Sequence, residues 1–319
     1  MTQYLKKYLD MRRYDVQGPL RRARIDFSLL KGRPWDKPDP EQEILKVLLA
    51  KRISQRTEKR DPVIAESICD ITEQMNRESR LLTLDVPEGA WSIFVVYLTK
   101  KGGEQATQDY LNPLVREATE VLIREVYEPH YAHYKEEFGK TIQGFFSDEP
   151  RFGNIKGTEG RMGTDMVLPW RDGLEKELGF EEKYLPLLWA DAEGLEKDIR
   201  FQYMDIVTRL YNENFTQVLG DWCRAHHVWY LGHTIEDNGA HARLGYGTGH
   251  YYRGQQGMDF AGIDVIGGQI VPGMNYHHDA FNTGGSNGEF YHYALAKLAA
   301  SSAHLDPAKK GRAMCEAFG

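Results

Sequence analysis

Three glutamates stand at the ends of predicted strands, and they are the residues of this sequence best suited to acid–base chemistry. Glu149 lies near the end of the stretch Ile142–Pro150, in which an apolar run leads to a carboxylate pair and a proline stops the strand. Glu236 and Glu316 follow two later apolar runs in the same way. Like charges in a partly dry site raise one another's pKa, so one carboxyl can stay protonated while another is ionised. Cleavage of a glycosidic bond requires such a pair.

Polar residues beside these glutamates, or in the loops that follow them, are candidate ligands for the hydroxyl groups of a sugar. They are Asp148, His233, Asp237, His250 and Tyr251. Nine of the eleven histidines come after residue 225, which as a group favours a ligand with many hydroxyls. For each histidine taken alone, a hydrogen-bonded structural role is the better interpretation.

A metal-dependent hydrolase that uses the late histidines is a further hypothesis, although the sequence holds no HExxH motif and no closely spaced ligand set. Nucleotide binding is not expected. The stretch 245–249, Gly-Tyr-Gly-Thr-Gly, lacks the order of a phosphate-binding loop and does not join a strand to a helix. The sequence also lacks the GxSxG motif of a serine nucleophile.

Composition and charge exclude several classes of protein. The net charge of −7 argues against a protein that binds nucleic acid through its phosphates. The three cysteines lie far apart, which excludes a disulfide scaffold or a structural zinc knuckle. The start lacks the apolar core of a signal peptide, and no stretch is long enough to span a bilayer. We therefore expect a cytoplasmic protein with a carbohydrate as partner, provided that the N-terminus is the natural one; the sequence leaves the oligomeric state undefined.

Helical and strand patterns alternate along most of the chain, which is typical of a parallel barrel or a doubly wound sheet. In such folds the chemistry lies at the carboxyl ends of the strands. The sequence predicts helices over about 110–138, 197–225 and 288–304, and strands over 142–150, 228–237, 261–268 and 312–319.

The predicted domains are an irregular lead-in over residues 1–40, a small β-rich insert over 41–100 and a (β/α) barrel region over 101–319. The last predicted strand has no helix after it to cover it. We therefore expect the sequence to be a fragment of a larger protein, truncated at its C-terminus.

Five short stretches together resemble the α-L-rhamnosidase-like glycoside hydrolases of family 106. They are Phe146–Pro150, Gly232–Asp237, Gly249–Arg253, Gly288–Tyr293 and Cys315–Gly319. The resemblance extends over about residues 85–319, and the set is more specific than any one member.

The resemblance implies an incomplete (β/α)8 TIM-type barrel and an α-linked deoxyhexose substrate, similar to L-rhamnose, in plant polysaccharide or glycosides. It also implies a bound calcium ion. Family 106 inverts, so Glu149 would be the general acid, with Glu316 or Glu236 activating water. The order is also similar to that of the related retaining glycosidases, in which Glu149 would be the acid/base and Glu316 the nucleophile, although Asp148 stands where those enzymes carry asparagine. The alternative hypothesis is a degenerate barrel fragment that binds carbohydrate without turnover.

Overall fold

The computed structural model describes residues 4–28, 30, 42–53, 61–107, 109–153, 162–163, 165–234, 247–265, 270 and 290–317. The strands are β1 (Lys7–Asp26), β2 (Glu43–Lys51), β3 (Cys69–Asp70), β4 (Met75–Asn76), β5 (Leu81–Thr99), β6 (Gly144–Asp148), β7 (Leu168–Trp170), β8 (Trp229–His233), β9 (Ala261–Val265) and β10 (Ala313–Ala317). The α-helices are α1 (Arg116–Leu122), α2 (Glu128–Tyr134), α3 (Leu195–Tyr211), α4 (Gln217–Ala225), α5 (Tyr251–Gly254) and α6 (Leu295–Leu305). None of these helices is long and apolar enough to cross a membrane.

The chain forms two compact units. The antiparallel unit consists of Leu5–Tyr110 and Gly153–Ile206, and the parallel-strand unit consists of Met1–Tyr4, Leu111–Phe152 and Val207–Gly319. The candidate site lies in the parallel-strand unit, which therefore receives most of the description below.

The antiparallel unit is built on β5, which lies between β1 and β2 in a six-stranded sheet. Its second half, residues 92–99, is rich in β-branched and aromatic side chains, and all of these residues are buried. Side chains from alternate positions, such as Ile93, Val95 and Tyr97, enter one hydrophobic core with residues of β2. The β-rich stretch found in the sequence is thus the centre of a sheet that also recruits β1 and β7.

The parallel-strand unit contains two pairs of parallel strands. β6 pairs with β8 so that Asp148 lies opposite His233, and β9 pairs with β10 so that Asp264 lies opposite Glu316. On the other face of β9, Ile263 packs into a cluster with the buried side chains of α6. Those side chains, among them Leu295 and Ala299, recur at helical spacing.

A close approach of two glycines brings the two strand pairs together. A Cβ atom on Gly262 of β9 would lie 1.6 Å from the carbonyl oxygen of Gly232 in β8, so only glycine fits there. Asp259 reinforces the contact, because its backbone N–H donates to the carbonyl of Tyr230 (2.8 Å) and its carboxylate accepts from the N–H of Tyr230 (2.9 Å). The four strands thus present their carboxyl ends together.

The prediction of a (β/α)8 TIM-type barrel is wrong. The largest sheet in the described part of the chain is antiparallel, and parallel pairing is confined to two pairs of strands. The main reason lies in residues 7–26, which carry many charged side chains and were expected to be irregular. They form a twenty-residue strand that pairs with β5 over most of its length. The helices and strands predicted around Glu149 and Glu316 are present as local elements.

Lys309 ties the segment before β9 to the segment before β10. Its side chain is fully buried, and its ammonium group donates to the carbonyls of Gln255 (2.7 Å) and Met258 (2.6 Å). The carboxylate of Asp306 lies 3.3 Å from the same nitrogen. Burial lowers the pKa of Lys309, and the charge of Asp306 opposes that shift.

We expect Lys309→Met to lower the free energy of unfolding by about 2–4 kcal/mol, because it leaves two buried carbonyls without a donor. Urea unfolding followed by circular dichroism measures the effect. Lys310→Met is the matched control, since Lys310 is exposed and should tolerate the change within about 0.5 kcal/mol. Equal effects at the two positions would contradict the assigned role.

Candidate functional site

Five polar side chains meet at the carboxyl ends of the four parallel strands, and we call them the carboxylate cluster. Its members are Asp148, Glu149, His233, Asp264 and Glu316. They form two groups of three, each containing His233, in which the donor atoms lie within 4.8 Å of one another. Strand register brings these residues to the same level of the strands, because Asp148 lies opposite His233 and Asp264 lies opposite Glu316 in their respective pairs.

His233 is the centre of the cluster. The residue is fully buried, and its Nε2 lies 2.9 Å from Oε2 of Glu316 and 3.4 Å from Oδ1 of Asp148. Its Nδ1 lies 3.1 Å from the carbonyl of Thr234. A carbonyl can only accept, so Nδ1 carries a proton and donates it there. One further proton must lie between Nε2 and Glu316, carried by either partner.

Glu149 follows β6 directly and adopts a left-handed backbone conformation, with φ of 42°. Such a conformation costs a residue with a side chain about 1–2 kcal/mol relative to the right-handed region. Consecutive residues of a regular strand point to opposite faces. Because the backbone of Glu149 leaves the strand conformation, its side chain lies on the same side as that of Asp148, near His233. Its Oε2 accepts a hydrogen bond from Arg151 (2.9 Å), and its side chain is 22% exposed.

Asp264 is the member of the cluster that sequence reasoning missed. It lies within the apolar run of β9, is 2% exposed, and its Oδ1 is buried without a hydrogen-bond partner. The sequence pattern that identified the other carboxylates is an apolar run followed by an acidic residue. Asp264 does not fit this pattern, because it lies between Ile263 and Val265 inside the run. The available signal was the carboxylate itself, since aspartate is almost never fully buried unless it is paired or functional.

The cluster perturbs the acidity of Asp264. Burial raises the pKa of this carboxyl from 3.8 to about 6. The imidazole of His233 opposes the shift, while the charges of Glu316, Glu149 and Asp148 add to it. A carboxyl that titrates near neutrality, surrounded by other carboxylates, is typical of sites where proton transfer or polar recognition takes place.

The donor spacing of the cluster raises the question of a cation. Ca²⁺ takes six to eight oxygen ligands, and the carboxylates supply oxygen. Both groups of three depend on His233, however, and its Nε2 shares a proton with Glu316 while Nδ1 donates to Thr234. A ring engaged in this way offers no lone pair to a metal. As arranged, these residues do not fit the calcium ion that the family resemblance implies.

Of the remaining predicted site residues, the structure describes His250 and Tyr251, and neither belongs to the carboxylate cluster. Glu236 and Asp237 lie outside the described residues. His250 is exposed and caps α5, where its Nδ1 accepts from the N–H of Arg253 (3.5 Å). Tyr251 is buried, and its hydroxyl donates to the carbonyl of Gly262 (2.7 Å) in β9. The catalytic role of Glu236 and the substrate-binding roles of Asp237, His250 and Tyr251 stay predictions.

Comparison with known proteins gives one kind of similarity. No protein-family model and no curated protein matches the chain. Among solved structures, the chain is similar to the rhamnosidase from Novosphingobium sp. PP1Y, with a TM-score of 0.52 and 15% sequence identity. The match covers 80% of this chain and 23% of that one, so the chain spans about a quarter of the rhamnosidase. At this identity the similarity is one of fold, and it confirms the resemblance to rhamnosidases at that level.

The raised pKa of Asp264 predicts how stability depends on pH. The folded-state pKa lies above the unfolded one, so the folded state binds the proton more tightly and loses stability as pH rises from 3.8 to about 6. Raising the pKa of this carboxyl from 3.8 to about 6 lowers the free energy of unfolding at high pH by at most roughly 3 kcal/mol. We expect Asp264→Asn to be more stable than the unmutated chain by about 1–3 kcal/mol at about pH 8, with the gain disappearing near about pH 4.

Urea unfolding at both pH values measures this difference. Asp109→Asn, an exposed aspartate in the other unit, should show no such pH-dependent gain. A destabilised Asp264→Asn protein at the higher pH would show that the carboxylate has a partner that stabilises it.

The arrangement around His233 also predicts the response to chelation. We expect EDTA to leave the thermal midpoint and any hydrolytic activity unchanged, because the imidazole is already committed to Glu316 and Thr234. Differential scanning fluorimetry and an aryl glycoside assay measure the two quantities. Activity lost on chelation and restored by zinc would instead favour the metal-dependent hydrolase.

Proposed function

We propose that the carboxylate cluster is the bond-cleaving site of a glycoside hydrolase. The observation that carries the proposal is the convergence of Glu149 and Glu316 on the same buried histidine, although 167 positions separate them in the sequence (316 − 149). Most glycoside hydrolases use a pair of carboxyl groups at one site to cleave the glycosidic bond. The fold similarity to a rhamnosidase supports the proposal by analogy only, because one fold can host many functions.

Glu149 is proposed as the general acid. Its Oε2 is held by Arg151, which leaves Oε1 to carry a proton to the glycosidic oxygen. Glu316 is proposed as the base that activates water: His233 holds its Oε2, and Oε1 would accept the proton of the water. Both side chains are partly exposed, at 22% and 23%, so a ligand can reach them. Glu236 would support either role.

The proposed substrate is an α-linked deoxyhexose similar to L-rhamnose, released from plant polysaccharide or glycosides. This part of the proposal rests on the resemblance of the five sequence stretches to family 106 and on the fold similarity. Asp148, which is exposed at the end of β6, would bind a hydroxyl group of the sugar beside the reacting carboxyls.

The proposal predicts different leaving-group dependence for the two glutamates. Glu149→Gln should slow hydrolysis of an alkyl α-L-rhamnoside by about 10²–10⁴-fold. It should slow a 2,4-dinitrophenyl α-L-rhamnoside much less, because that leaving group departs without a proton. Glu316→Gln should slow both substrates by similarly large factors, since water must be activated in either case. Initial rates with purified protein measure the four values.

Glu120→Gln is the control, because Glu120 is an exposed residue of α1 paired with Arg116 and lies outside the cluster. Full activity of the Glu149 and Glu316 variants would refute the proposal. Sugar binding that survives Glu149→Gln, combined with no hydrolysis by the unmutated chain, would favour the carbohydrate-binding alternative.

A further inference from the structure

The unpartnered oxygen of Asp264 has no role in the mechanism above. A buried acceptor without a donor costs free energy, and folded proteins rarely retain one without a reason. The residue is 2% exposed, so water does not solvate it as it would a surface carboxylate. A ligand that supplies a donor to Oδ1 would recover that cost on binding.

The position of Asp264 is fixed by side chains that clamp β9. The amide of Gln255 both accepts from the N–H of Gly262 (2.8 Å) and donates to its carbonyl (3.0 Å). The hydroxyl of Tyr251 donates to the same carbonyl (2.7 Å). Gly262 precedes Asp264 by two positions, so both residues face the same side of the strand. The carboxylate is therefore presented to the cluster by a rigid backbone.

Asp264 is poorly placed to act as the acid or base itself. The reacting groups must reach the glycosidic bond, and the side chains of Glu149 and Glu316 are 22% and 23% exposed. Asp264 is far more deeply buried, although one of its oxygens belongs to the same group of donor atoms as Glu149 and His233.

A hydroxyl group fits this position better than a cation. The ligand must donate to an oxygen that lies beside His233, whose Nε2 already shares a proton with Glu316. A hydroxyl donates a hydrogen bond without adding a full charge next to the imidazole. Sugar rings carry several such hydroxyls in fixed directions.

We propose that Asp264 is a specificity-determining residue whose Oδ1 accepts a hydrogen bond from one ring hydroxyl of the sugar that lies against Glu149. The inference rests on the proposed function and deepens it. A site built to bond a hydroxyl rejects an analogue that lacks it, since the buried acceptor is then left unpaired. Asp264 would thus select among sugars that differ at one carbon.

The test is binding of methyl α-L-rhamnoside and its 2-, 3- and 4-deoxy analogues, measured by isothermal titration calorimetry on the intact chain. One deoxy analogue should bind the unmutated chain about 10–100-fold more weakly than the parent sugar. In Asp264→Ala that ratio should fall to about one, while the other two ratios stay unchanged. Asp264→Asn keeps an uncharged acceptor, so its ratio should fall only partly, to about 3–10-fold.

The asparagine variant also serves if the alanine variant fails to fold, and Asp109→Asn should reproduce the unmutated profile. Deoxy ratios that do not change in the Asp264 variants would overturn the inference, as would the absence of any sugar binding. A calcium-induced rise in the thermal midpoint that disappears in Asp264→Asn, with sugar binding unaltered, would assign the residue to a cation instead.

These outcomes separate from those of the proposed function. If hydrolysis depends on Glu149 and Glu316 but the relative affinities for the deoxy analogues are the same in the Asp264 variants, only the inference about Asp264 fails. If the ratios depend on Asp264 but no glycoside is cleaved, hydrolysis fails and a sugar-binding site remains.

Discussion

One buried imidazole lies among the carboxyl groups that the parallel strands bring together. His233 contacts Glu316 and Asp148, and it lies beside Glu149 and Asp264. Without that ring, carboxylates from separate strands would face one another in a poorly solvated place, where like charges repel strongly. Its Nδ1 bond to the Thr234 carbonyl fixes the ring plane, so the imidazole stays where the strands bring the acids together. The arrangement of the cluster therefore depends on this residue more than on any single carboxylate.

The backbone that supports this centre is held by unusual means. β8 and β9 meet through two glycines, and the polar groups of Gly262 are bonded by Gln255 and Tyr251, which are side chains rather than a neighbouring strand. Lys309 adds a buried ammonium group that joins the segment before β9 to the segment before β10. Catalytic or binding groups work best when a second layer of contacts locks their position. These contacts supply such a layer beneath the candidate site.

The sequence was informative where local rules decide the structure. Apolar runs that end in a carboxylate predicted the strands that carry Asp148, Glu149 and Glu316, and all three side chains lie in one cluster. The sequence did not predict the structure where strand pairing between distant parts of the chain determines it. Nothing local shows that residues 7–26 pair with β5 instead of lying in a loop, and this pairing removed the predicted barrel. The register that sets Asp264 opposite Glu316 is likewise a tertiary property, so Asp264 could not be placed beforehand.

The left-handed backbone of Glu149 has a consequence for protein engineering. Glycine at this position would relieve the strain, because it lacks the Cβ atom that makes the conformation unfavourable. A library selected for heat resistance alone would accordingly drift towards glycine at position 149 and lose the carboxylate there. Selection for thermal stability should therefore be combined with selection for a sugar-dependent function, because the backbone conformation that positions the Glu149 side chain lowers the stability of the fold.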